Sequence, residues 1–250
     1  LSTARPSHDI HAAFIDWAEA QITDPRAQAV FRRMASRSGI DHRYAVLPPT
    51  PRGGSPVSPG GFYDGPPPGT AARMALYAEY APALALEAIA GLKADVSDVT
   101  HLIVASCTGF VAPGVDQILA QRLNLAPHVE RLLVGFMGCY AAVSALRSAL
   151  HIVRSQPHAK ILVVTVELSC LHLNATQDIE SLLAMLQFGD GAAAALVTSE
   201  GPGLALYDPF ATTLPDSADL IRWDIGDTGF VMHLSGKVPS LITQALQDEA

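Results

Sequence analysis

Cysteine is nearly absent from this chain: three residues in 250, with no CxxC spacing among them. Such an odd and sparse set excludes a disulfide scaffold and a zinc ribbon, and it points to a reducing compartment. Charge is scarce as well. Charged residues make up 16% of the chain and hydrophobic residues 49%, which excludes a disordered polymer. The net charge of -8 gives no reason to expect nucleic acid or an anionic membrane as a partner. Long hydrophobic runs are missing too. The longest nearly unbroken one, residues 132–143, is too short to span a bilayer. Ser7, His8 and Asp9 break any apolar run at the N-terminus, so no signal-peptide core forms there. A cytoplasmic location is the expectation. No HxxxH or paired-carboxylate spacing predicts a metal site, and no repeat of about 20 to 50 residues is evident.

What is present alternates between helical and extended patterns. Helices are predicted over residues 10–20 and 28–36, the first with Phe14, Ile15 and Trp17 to bury. Residues 48–68 form a Pro/Gly-rich loop. A long Ala/Leu-rich helix follows over 70–90, with Thr70 as its N-cap. Strands are expected at 102–105, 132–136, 161–166 and 192–197, with another starting at 203–207; helices are expected at 115–123, 141–153 and 179–186. Continuous apolar strands separated by helices imply a sheet covered on both faces, hence an α/β layered fold.

Cys139 stands out within this pattern. It closes the run Arg131-Leu132-Leu133-Val134-Gly135-Phe136-Met137-Gly138-Cys139 and opens a helix. A thiol between a Gly turn and a helix N-terminus meets unpaired N–H groups and the positive end of the dipole, which favour thiolate. That is a nucleophile's setting. A buried structural cysteine is the alternative at this point, since free Cys is among the most buried residue types.

Several motifs occur in order around it: Ser106-Cys107-Thr108-Gly109 with Ala112-Pro113-Gly114, then Gly138-Cys139-Tyr140-Ala141, then Gln187-Phe188-Gly189-Asp190-Gly191-Ala192. Further stretches agree: Phe31-Arg32-Arg33-Met34, His42-Arg43-Tyr44, Val166-Glu167-Leu168-Ser169, and Gly229-Phe230-Val231-Met232-His233-Leu234 with Val238-Pro239. The ordered set resembles the type III polyketide synthases, the chalcone and stilbene synthase family of the thiolase fold. Cys107, where plant members carry Thr, makes the bacterial branch the nearer one.

The resemblance implies a thiolase-like αβαβα fold whose first half spans residues 1–200 and carries the nucleophile. Residues 201–250 would begin an incomplete second half. It further implies that Cys139 takes an acyl group from CoA and is extended by decarboxylative Claisen condensation with malonyl-CoA. No metal or redox cofactor is required for that chemistry. Phe188 matches the gate between CoA tunnel and cavity, and Cys107, Ser169, His172 and Met232 align with cavity positions. Trp223 falls near a family position that is often small, so facing the cavity it would restrict product length. Arg32 matches a basic residue that contacts CoA phosphates; Arg33 and Arg26 lie nearby. Acyl-CoA, malonyl-CoA and a second copy of the chain are the implied partners, although Ala112 replaces the Met often found at the dimer-crossing loop.

The family's catalytic His and Asn lie beyond the segment matching Val238-Pro239, and the sequence starts at Leu1 rather than Met. Part of a longer protein is therefore expected. The product of such an enzyme is an alkylpyrone, an alkylresorcinol or a small aromatic ring. A condensing enzyme similar to ketoacyl-carrier-protein synthase III and a noncatalytic scaffold on the same fold are the alternatives.

Overall fold

Runs of Val, Ile and Leu with no polar alternation are stable only in strands covered on both faces. In the computed structural model of the protein, which describes residues 1–248, two of these runs form the middle of a sheet. The chain begins with β1 (Ser2–Ala4), β2 (His8–Asp9), α1 (His11–Gln21), α2 (Pro25–Ala35) and β3 (Tyr44–Ala45). Next come α3 (Thr70–Ala90), β4 (His101–Ser106), α4 (Val115–Arg122), β5 (Glu130–Gly135) and α5 (Ala141–Ser155). The remainder is β6 (Ile161–Leu168), α6 (Ile179–Gln187), β7 (Asp190–Val197), β8 (Ile221–Gly226), β9 (Gly229–Leu234) and α7 (Val238–Asp248). Two compact units are interleaved along this order. One comprises Leu1–Pro6, Met74–Leu168 and Asp190–Pro209; the other comprises Ser7–Arg73, Ser169–Gly189 and the chain from Phe210 onward.

The first unit is built on a five-stranded sheet in the order β1-β7-β6-β4-β5. β4 runs parallel to both β5 and β6, whereas β7 is antiparallel to β6 and to β1. Every residue of β4 is buried. Helix α5 presents Ala141, Ala145 and Ala149, one turn apart, to a cluster containing Ile103, Ala105, Ile161 and Val163. These small side chains let the helix lie close on the sheet, directly behind Cys139.

Four expectations need correction. β5 is not a buried strand: it forms the sheet edge, and Leu132 and Leu133 are 43% and 47% exposed. Residues 203–207 form no strand, because no ladder partner reaches them among the described residues and Leu204 lies exposed. α2 starts three residues earlier than its apolar pattern. Asp24 accepts from the N–H groups of Arg26 (3.1 Å) and Ala27 (3.3 Å), and Pro25 takes the first helical position. Finally, the Thr70 hydroxyl does not cap α3. It is engaged by the β8–β9 turn, donating to the Gly226 carbonyl and accepting from the Gly229 N–H at 2.8 Å.

In the second unit, α1, α2 and α6 enclose Phe14, Phe31, Leu182 and Leu186 together with Cys170 and Leu173. Arg73 is fully buried there and holds the chain after Ser169. Its guanidinium donates to the carbonyls of Leu171 (2.7 Å), Leu173 (2.9 Å) and Pro68 (2.9 Å). Neutral acceptors on every side satisfy the donors and orient the fork without a carboxylate partner.

Among the described residues, no helix is long and apolar enough to cross a membrane.

Candidate active site

The site is set by how β5 ends. After Gly135 the backbone passes through positive φ at Phe136 (+54°) and Gly138 (+61°). Glycine adopts this region freely, whereas a bulky Phe there is an outlier held by its surroundings. Gly138–Tyr140 then form a 3-10 turn that runs directly into α5. Cys139 thus lies in the first turn of a composite helix, where backbone N–H groups lack intrahelical acceptors. It is an exposed thiol, which sets aside the buried structural reading.

Cys107 sits beside it. β4 and β5 are paired with Ser106 opposite Gly135, so Cys107 continues the strand next to the turn carrying Cys139. The Gly138 N–H donates to the Cys107 sulfur, and the Cys107 thiol donates to the Glu167 carboxylate. Burial foremost, then the Glu167 charge and hydrogen bond and the charge on Cys139, push the Cys107 thiol up to about 12. It stays protonated at neutral pH.

Glu167 is the residue that sequence reading missed. Its motif is plain in the sequence, but nothing there assigns the carboxylate a partner. In the fold it accepts from the N–H groups of Cys107 (2.9 and 3.1 Å) and Thr108 (3.0 Å) and from the Thr108 hydroxyl (2.6 Å). Ser106 Oγ adds a longer contact at 3.4 Å and accepts from the Tyr77 hydroxyl at 2.6 Å. Desolvation raises the Glu167 pKa, and the donors from Thr108 and Cys107 only partly oppose it. A charged residue near the end of a largely apolar strand was the one available signal.

Gly109 completes this turn by its lack of a side chain. A Cβ there would lie 2.2 Å from the Tyr77 ring, whose hydroxyl is anchored on Ser106. Gly109→Ala is expected to cost roughly 1–3 kcal/mol through overpacking, read as a lower midpoint in chemical denaturation.

Residues 19–201 match the N-terminal domain of chalcone and stilbene synthases. The chain belongs to that family. A curated relative, the alpha-pyrone synthesis polyketide synthase-like Pks18 of Mycobacterium tuberculosis, is 35% identical over 181 residues. That alignment covers 68% of this chain but 46% of the relative, so the chain spans about half the length of the curated relatives it matches. Among solved structures, 1,3,6,8-tetrahydroxynaphthalene synthase from Streptomyces coelicolor A3(2), a bacterial type III polyketide synthase, superposes with a TM-score of 0.84 at 26% identity. The match covers 99% of this chain and 70% of that one. PKS-I from the brown alga Ectocarpus siliculosus gives 0.84 at 28% identity, covering 98% and 68%. The fold is the thiolase-like fold of type III polyketide synthases.

Ser169, His172, Trp223, Met232, Phe188 and Arg32 fall in the second unit. Ser169 opens the 3-10 turn Ser169–His172, and His172 is buried at its end. The His172 ring stacks on Phe230 with centroids 4.3 Å apart, and Trp223 meets it edge-on at 5.5 Å. Met232 lies opposite Trp223 in the hairpin register. Phe188 follows α6, and its carbonyl faces the Cys170 sulfur at 3.9 Å. Arg32 lies on the exposed surface of α2, its Nε 2.9 Å from a Glu19 carboxylate oxygen. The fold therefore brings Cys139 and Cys107 together in one unit, and His172, Trp223 and Phe230 in the other.

His172 Nδ1 accepts from the Phe230 N–H at 3.0 Å. Replacing His172 by Phe keeps an aromatic ring but removes this acceptor. A loss of roughly 1–3 kcal/mol is expected in thermal or denaturant unfolding, the cost of a buried donor left unpaired.

Among the described residues, no group of three or more His, Cys, Asp or Glu could hold a metal ion.

Proposed function

We propose that this chain carries the nucleophile-bearing part of a type III polyketide synthase. Cys139 takes an acyl group from acyl-CoA, with CoA thiolate leaving as the new thioester forms. Malonyl-CoA then loses carbon dioxide to give a carbanion that attacks the thioester carbonyl. The observation that carries this reading is an exposed thiol in the first turn ahead of α5, placed there by the Gly138 turn. A thiolate is strongly nucleophilic and its thioester remains reactive, so the step needs neither a metal nor a redox cofactor.

Arg32 is proposed to meet the CoA phosphates, exchanging its Glu19 partner for a phosphate fork. Phe188, Ser169, His172, Met232, Trp223 and Cys107 are proposed to shape the path and chamber of the growing chain. The name of the Mycobacterium tuberculosis relative favours an α-pyrone among the three product classes. The exposed apolar side chains of Leu132, Leu133, Phe136 and Met137 suit a homodimer, since a cluster of exposed hydrophobic residues favours association.

Intact mass spectrometry of the purified full-length protein with a long-chain acyl-CoA tests the proposal. One acyl adduct mapped to Cys139, followed by pyrone release on adding malonyl-CoA, is the expected result. Extension from malonyl-carrier protein alone would move the assignment to a ketoacyl-carrier-protein synthase III-like enzyme. A folded protein with an unreactive Cys139 would leave a scaffold.

A further inference from the structure

We propose that Cys107 and Cys139 are a reversible redox pair, in which Cys107 resolves a sulfenic acid formed on Cys139 by a hydroperoxide. This holds whether or not Cys139 accepts acyl groups, because it requires only two neighbouring thiols with different surroundings.

The geometry is that of adjacent parallel strands. Ser106 and Gly135 are register partners, and such strands lie about 4.8 Å apart. The turn after Gly135 then folds back, with positive φ at Phe136 and Gly138, instead of continuing away from β4. As a result the Gly138 N–H reaches the Cys107 sulfur, and Cys139 is the very next residue. A disulfide needs Cα atoms within about 4.4–6.8 Å, so it is open only to cysteines on adjoining segments such as these.

The two thiols divide the chemistry. Cys139 is exposed in the turn that leads into α5, where a peroxide can approach. Cys107 is half-buried, and its S–H already points at a carboxylate. The Cys139 thiolate attacks one peroxide oxygen; the O–O bond breaks, hydroxide leaves, and sulfur is oxidised to S–OH. Cys107 sulfur then attacks Cys139 sulfur while its proton passes to Glu167. The S–O bond breaks, and the departing hydroxide takes that proton to leave as water. One disulfide and two waters result from one hydrogen peroxide and two thiols once the first hydroxide is protonated. Two thiols restore the pair by exchange. Cys170 is no rival as the resolving thiol, because it is fully buried with the Arg43 guanidinium and the Tyr44 carbonyl on its sulfur.

The test uses reduced, purified full-length protein titrated with hydrogen peroxide, blocked with N-ethylmaleimide and mapped without reductant. Expected are a mass lower by two hydrogens, joint loss of two alkylatable thiols, a cross-linked peptide joining Cys107 to Cys139, and full recovery with dithiothreitol. In Cys107→Ser, Cys139 should instead advance to sulfinic acid that dithiothreitol does not reverse. Sulfinic acid on Cys139 of the unmutated protein, with Cys107 still alkylatable, overturns the proposal. So does a disulfide to Cys170 or between chains. The unmutated protein's peptide map decides the matter even if Cys107→Ser fails to fold. The acyl-adduct measurement on reduced protein is independent of every one of these readouts.

Discussion

Cys139→Ala is expected to abolish the acyl adduct and to lower product formation by on the order of 10⁴-fold or more. The expectation has two parts, and each has its own measurement. Loading needs a bond from sulfur to the acyl carbon, and no other thiol shares the position of Cys139. Cys107 stays protonated at neutral pH, and Cys170 is buried. An adduct that persists in Cys139→Ala would therefore remove the nucleophile assignment. The fold should survive, because an exposed side chain in a 3-10 turn contributes little packing, within about 0.5 kcal/mol. Near-unchanged unfolding beside lost loading separates chemistry from collapse. Cys139→Ser keeps the size but not the leaving ability or nucleophilicity of sulfur, and it should be nearly as inactive.

The second large effect concerns stability. Glu167→Ala is expected to cost about 3–5 kcal/mol, since it strands the N–H groups of Cys107 and Thr108 and the Thr108 hydroxyl together. The Thr108 hydroxyl also accepts from the Leu168 N–H at 2.8 Å, so the loss propagates into the end of β6. Glu167→Gln retains one carbonyl acceptor and should cost markedly less. The native pKa of Glu167 is raised, chiefly by burial, above its ordinary carboxylate value. Below that ordinary value both folded and unfolded states hold the proton, and the contribution is fully present. As pH rises toward the raised folded value, the unfolded chain releases a proton that the native state still keeps, and stability falls. Above the folded value the contribution is gone. Denaturation of the wild type at a series of pH values should show this decline from the ordinary carboxylate range upward, and Glu167→Gln should lack it. A wild-type curve that instead gains stability across that window would contradict a raised Glu167.

Much of this fold is written locally. The β-branched run at 161–166 can be stable in few places but a covered strand, and β6 is one. The Ala/Leu stretch at 70–90 forms α3 over those bounds, because strong helix formers need little help. The Gly138-Cys139 turn ahead of an apolar helix was legible for the same reason: backbone freedom, capping geometry and helical spacing act over a few residues. The motif order also carried the family, since it records spacing along the chain.

Other features depended on residues far apart in sequence. Leu132 and Leu133 look like core residues, yet β5 is an edge, because strand order is a property of the whole sheet and not of any strand. Thr70 has the chemistry of a cap, but a turn more than 150 residues later claims its hydroxyl. Glu167 and Cys107 are 60 residues apart, and their hydrogen bonds exist only once β4 and β6 lie in register. The sequence by itself determined which residues could react and which segments would coil or extend, since propensity and motif spacing are local. Tertiary structure alone decided which strand faces solvent, which carboxylate meets the thiol and which hydroxyl is already spent. Those are matters of distance through space, and chain order does not encode distance until the backbone has closed on itself.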